Sequence, residues 1–120
     1  MTAPPAPPLH QLDCDTDYRA AQPIASEYLA ELLPQISDWK VSVDHQVDKL
    51  CCRYKRQNFA DAIAFAAAIG AIADRQDHHP TILVEYGAVT VTWWTHAIGG
   101  LHLNDLIMAA KTDKITATKG

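Results

Sequence analysis

Between Thr81 and Trp94 the chain reads TILVEYGAVTVTWW, two runs of alternating residues joined around a single glycine. A joint this short signals a hairpin, which makes the two runs neighbouring antiparallel strands. Period two puts Val89, Val91 and Trp93 on one face of the second run and Thr90, Thr92 and Trp94 on the other. A similar pair precedes it. A short strand is expected around Val41 and Val43, a turn near Asp44–His45, and a second strand over VDKLCCRYK with Leu50, Cys52 and Tyr54 on one face. Arg56 continues that face and is an awkward residue for a core.

Helical signals separate and flank the two pairs. Ser26 can cap a helix to about Leu33, with Tyr28, Leu29, Leu32 and Leu33 on one side and Pro34 leaving its end open. Ile36 and Trp39 follow as anchors. Asn58 can cap a longer helix through about Arg75. Its Phe59, Ile63, Ala66, Ala67, Gly70, Ala71 and Asp74 are spaced by three or four, and Phe65, Ile69 and Ile72 widen the apolar surface. This helix is expected to be largely buried and to lie deepest against the sheet. Gly99–Gly100 breaks the chain before a third helix from about His102 to Lys111, with Leu103, Leu106, Ile107 and Ala110 as its apolar positions. The order α-β-β-α-β-β-α predicts an α+β fold: a four-stranded antiparallel sheet with three helices packed mainly on one face.

At 120 residues, a single domain is expected, spanning residues 25–115. Four prolines in the first eight residues and an Asp-rich continuation make residues 1–24 an expected disordered tail, with a short C-terminal tail at 116–120. The formal charge of −4 and the scattered basic residues give no nucleic-acid surface. There is no signal-peptide pattern and no window of transmembrane length and purity, so no membrane partner and a cytoplasmic location are expected. Cys14, Cys51 and Cys52 are odd in number and badly spaced for a disulfide framework or a zinc knuckle, and read as ordinary thiols.

Three histidines carry the chemical interest. Pro80 disfavours a helix through His79, so His78 and His79 fall at a helix-to-strand transition. His96 follows a strand end and precedes Gly99–Gly100, and the intervening hairpin can return it beside His78. Imidazoles donate and accept protons near neutral pH, and two of them can serve opposite sides of a flat substrate. Asp77 or Asp105 could fix a ring tautomer by accepting its proton. A three-histidine zinc shell is the rival reading. Against it, adjacent histidines struggle to share one metal, and HExxH is absent. No glycine loop suited to phosphate is present, so no nucleotide cofactor is expected.

At these residues the sequence resembles the pterin-4a-carbinolamine dehydratases. Asp74, His78, His79, Pro80, Tyr86, His96 and Asp105 stand at the family's intervals, with Trp39, NFADAIAF, VTVTWWTHAIGGL and NDLIMAAKTD extending the likeness over about residues 25 to 115. The C-terminal half is particularly similar to bacterial members linked with phenylalanine hydroxylase. The resemblance implies dehydration of a 4a-hydroxytetrahydropterin to the quinonoid dihydropterin, supporting an aromatic amino acid hydroxylase. It implies no metal and no separate cofactor, the pterin being the substrate. It makes His78 and His96 the catalytic acid/base residues, His79 a substrate-binding group, and Asp77, Trp94 and Thr95 pocket-shaping, with Pro80 and Asp105 in support. It also implies a homodimer or homotetramer. Similar folds serve as non-catalytic assembly or transcriptional partners, which is the alternative. Two departures stand out: Arg56 replaces a usual aromatic, and His102 replaces the usual Ser or Thr cap.

Overall fold

The computed structural model describes residues 6–118. Its elements run α1 (Ser26–Leu32), β1 (Lys40–Asp44), β2 (Val47–Lys55), α2 (Phe59–Gln76), β3 (Thr81–Glu85), β4 (Ala88–Trp93) and α3 (Leu103–Thr118), with 3-10 turns at Leu9–Gln11, Tyr18–Ala20, Leu33–Ile36 and His96–Ile98. The strands form one antiparallel sheet in the order β1-β2-β4-β3, with the helices packed on one face. This is the expected architecture. Register explains how the core is assembled. Leu50 pairs with Trp93, Cys52 with Val91, and Tyr54 with Val89, while Ile82 and Val84 pair with Val91 and Val89 from the other side. Directly opposed residues share a face, so these side chains form ranks across the sheet beneath the helices. Gly87 at φ +79° closes the β3–β4 turn, and its carbonyl accepts a 2.8 Å bond from the Arg56 N–H.

Four expectations change. The buried stripe of α2 is Ala62, Phe65, Ile69 and Ala73, while Phe59 and Ile63 are 50% and 48% exposed. α2 packs on β3 and β4 as expected, but α3 is the more completely buried helix, with every residue from Asn104 to Ala110 buried. It is packed by α2, β2, β4 and the turns at Leu9–Gln11 and Leu33–Ile36, and it runs beyond the expected Lys111 end to Thr118. At the first helix, Ala25 takes the N-cap position expected of Ser26, without a side-chain cap.

Part of the segment expected as a tail makes contacts with the fold. Residues 1–5 of it lie outside the described residues, but the rest packs on the body of the fold. Leu9 is completely buried, and its N–H donates to Gln35 Oε1 at 2.9 Å. The Cys14 N–H donates to Gln76 Oε1 at 2.8 Å, and Asp15 and Asn104 exchange two bonds of 2.9 and 2.7 Å. Burying one leucine contributes roughly 1.5–3 kcal/mol, which helps offset the entropy of ordering the segment.

Arg56 finds the acidic partner its position demands. Its guanidinium forks onto Asp61 at 3.0 and 2.8 Å and lies 4.7 Å from the centre of the Phe65 ring. The aliphatic stem and flat head thus cover the core edge while the charge is neutralised. Asn58 caps α2 as expected, its Oδ1 accepting the Asp61 N–H at 2.8 Å. All three cysteines are free, and burial pushes the Cys14 thiol up to about 12 and Cys52 to about 11. Those two stay protonated and unreactive at neutral pH.

Candidate active site

The site begins where α2 ends. Asp77 takes a left-handed conformation, φ 51° and ψ 43°. Its N–H donates to Asp74 O, and the His78 N–H donates to Ala73 O. This double closure ends the helix and turns the chain sharply. Pro80 then carries it into β3. The turn separates the two adjacent histidines: His78 goes inward and is 6% exposed, while His79 stays outside.

His78 is held by Trp93, Tyr18 and Asp105. Its ring stacks on Trp93, with centroids 5.6 Å apart and planes at 14°, and on Tyr18 at 5.9 Å and 20°. Its Nε2 lies 2.6 Å from Asp105 Oδ1, and its Nδ1 lies 3.0 Å from the Tyr18 hydroxyl. Asp105 is fully buried at the start of α3. Its Oδ2 accepts from the Thr95 hydroxyl at 2.8 Å and from the His102 N–H at 2.9 Å. A carboxylate with donors on both oxygens is an acceptor, so it fixes the proton of His78 on Nε2. The choice between Asp77 and Asp105 as tautomer holder therefore falls to Asp105.

His102, standing where a Ser or Thr cap is usual, provides a cap of its own. Its Nδ1 accepts the Asn104 N–H at 2.9 Å while Asp105 accepts the His102 N–H, a reciprocal arrangement that a Ser–Glu capping box also makes. Asp105 thus joins the helix cap, Thr95 and His78 in one network.

The other histidines stand at the rim. His79 Nε2 lies 3.0 Å from Asp74 Oδ1, with both side chains exposed, which accounts for an acidic residue four positions before His78. His96 opens the Thr95–Gly100 loop, which is pinned by a 2.8 Å bond from the Thr95 N–H to Gly100 O. Its ring tilts over Trp94 at 4.4 Å, and Lys49 Nζ sits 4.0 Å from the centre of the same indole.

Tyr18, Asp77, His78, His79, Thr95, His96 and Ala97 line one open pocket of ≈ 300 Å³. The three histidines are therefore brought together, as are Asp77 and Thr95. Trp94 is not: it lies outside the lining, with its ring against that of His96. Pro80 and Asp105 act from outside the lining. Tyr18 was missed, because a lone tyrosine in a polar segment has no periodicity to mark it. A recess of ≈ 320 Å³ elsewhere gathers His10, Arg75, Lys111 and Lys114 over Ile72 and Ile115, but it holds no carboxylate–imidazole pair. Among the described residues, no group of three His, Cys, Asp or Glu side chains is arranged to hold a metal ion.

Comparison with known proteins gives the family. The family model described as pterin 4 alpha carbinolamine dehydratase matches residues 22–115. The chain belongs to that family. A relative from Nitrosococcus oceani bearing the same family description is 45% identical over 107 residues, covering 89% of this chain and 95% of its own. One from Microcystis aeruginosa is also 45% identical over 107 residues, covering 89% and 92%. A crystal structure titled transcriptional coactivator/pterin dehydratase, from Brucella melitensis, superimposes with a TM-score of 0.70 at 26% identity, covering 78% of this chain and 98% of that one.

Proposed function

We propose that this dehydratase-family chain removes water from a 4a-hydroxytetrahydropterin to give the quinonoid dihydropterin, and so returns tetrahydropterin to an aromatic amino acid hydroxylase. The carrying observation is the buried Asp105–His78 pair beside a pocket whose rim carries His79 and His96. The reaction needs a proton delivered to the leaving oxygen and another taken from N5 as its lone pair forms the C4a=N5 bond. It is redox-neutral, so histidines that cycle between acid and base suffice. His96 stands exposed for one transfer and His78, with its Nε2–H fixed on Asp105, serves the other. His79 holds and polarises the flat ring. An aromatic amino acid hydroxylase that oxidises tetrahydropterin is the source of substrate in this reading. No helix among the described residues is long and apolar enough to cross a membrane.

The test is direct. A hydroxylase generates the 4a-hydroxytetrahydropterin, and its decay is followed by absorbance with and without the protein. Catalytic acceleration, unaltered by chelation, is expected. A folded chain that leaves only the spontaneous rate would move the reading to a partner protein on the same fold.

The same reading extends to assembly as a homodimer or homotetramer. Phe59 and Ile63 are half exposed on α2, beside exposed Ala60, Ala64, Ala67 and Ala71, and Val43 at the edge strand is 69% exposed. Small residues flanked by larger apolar ones suit close approach of a second copy. Light scattering is expected to give a multiple of 13.2 kDa, reduced in Ile63→Arg. A monomer alone at working concentration would defeat it.

A further inference from the structure

We propose that Tyr18 is the proton relay through which His78 reaches the substrate. The inference rests on the dehydratase reading and adds a residue outside the family-matched span, which begins at residue 22. Both ring nitrogens of His78 are already engaged, Nε2 with Asp105 and Nδ1 with the Tyr18 hydroxyl, and the Trp93 ring stacks against the imidazole. A proton leaving His78 along Nδ1–H therefore meets Tyr18 first. Tyr18 in turn lines the pocket.

A phenolic hydroxyl carries one proton, accepts through its lone pairs and rotates. When His78 is neutral, with its proton on Nε2, the hydroxyl donates to Nδ1. When His78 is an imidazolium, Nδ1–H donates to the Tyr18 oxygen, and the hydroxyl proton turns to Asp77 O at 3.1 Å or to a ligand. One side chain thus satisfies both protonation states, as an imidazole that cycles between them requires.

The step balances. The Tyr18 O–H proton passes to the 4a-oxygen while the imidazolium Nδ1–H proton passes to the Tyr18 oxygen. The C4a–O bond breaks with its electron pair on oxygen, releasing water. The N5 lone pair forms C4a=N5, and the N5 proton goes to His96. Tyr18 is neutral before and after. Burial raises the pKa of its hydroxyl, which favours a proton carrier over a phenolate base. Its place is set by the segment just before it, tied through Cys14 to Gln76 and through Asp15 to Asn104.

Tyr18→Phe keeps the ring and removes the hydroxyl. Its kcat should fall roughly ten- to a hundredfold, at the low end of general acid catalysis because the 4a-hydroxyl can leave spontaneously. KM should stay within about threefold, since a relay acts on the transition state. In mixed H2O and D2O, the wild-type proton inventory for kcat should be curved, and less so in the variant, which has one transfer fewer. By 15N NMR without ligand, the His78 Nδ1 resonance should move in the variant while Nε2 stays. An unchanged kcat, an unmoved Nδ1 or a linear wild-type inventory would each overturn the relay while leaving the dehydratase reading intact. A wild-type chain that accelerates nothing would overturn that reading, and the relay with it.

Discussion

Asp105→Ala is expected to produce the largest loss of stability of any single change at the site, about 3–5 kcal/mol, because it strips the acceptor from several buried donors at once. The Thr95 hydroxyl, the His102 N–H and His78 Nε2–H all end on this carboxylate, and Asp105 itself is completely buried. Asp105→Asn separates the effects. An asparagine retains the volume but supplies one acceptor oxygen and an NH2 group. If the oxygen keeps His78, the amide NH2 confronts the donors of Thr95 and His102. If the amide flips, its NH2 faces Nε2 and forces the His78 proton to Nδ1, reversing the polarity presented to Tyr18. Either way turnover should fall by roughly 10²–10³ with a smaller loss of stability than the alanine variant. Denaturant unfolding and the decay assay measure the two effects on the same samples. A loss below about 1 kcal/mol in Asp105→Ala would mean that water readily replaces the carboxylate, and the network would not be the anchor described.

That network was only partly legible in the sequence. The strands were readable because their two faces differ in chemistry: Val89, Val91 and Trp93 alternate with Thr90, Thr92 and Trp94, and register carries the pattern across to Leu50, Cys52 and Tyr54. Helix α2 was recognisable as a helix, but its inward side was not. Apolar residues surround its cylinder, so a period of 3.6 fits the exposed line through Phe59 and Ile63 as well as the buried one through Phe65 and Ile69. The histidine trio was legible from chain topology, since Pro80 and the hairpin place both positions at one rim. Leu9 and Tyr18 were not. Each is an isolated side chain in a polar, proline-rich segment, and its partner lies far along the chain: Gln35 for the Leu9 backbone and His78 for Tyr18. Arg56 shows the converse case, where a charge on the core face looks costly until Asp61 five residues on is seen to neutralise it.

His96→Ala is expected to lower kcat by roughly 10²–10⁴, the range for loss of one positioned acid/base group. The lower part of that range is the better expectation, because the 4a-hydroxyl can leave spontaneously and buffer can stand in for a missing base. The exposed ring of His96 also makes such rescue easy to detect: adding imidazole should restore part of the rate in His96→Ala. His79→Ala should behave differently. Its ring is exposed and tied to exposed Asp74, so the loss should fall mainly on the substrate concentration needed, with a smaller effect on kcat from lost polarisation. His78→Ala combines both kinds of damage. It removes a proton site and leaves Asp105 and Tyr18 without their shared buried partner, so imidazole should rescue it poorly. The three variants thus distinguish rim base, ring holder and buried acid by kinetics alone. Equal effects of all three on kcat, with no rescue at His96, would mean that the histidines shape the pocket rather than move protons.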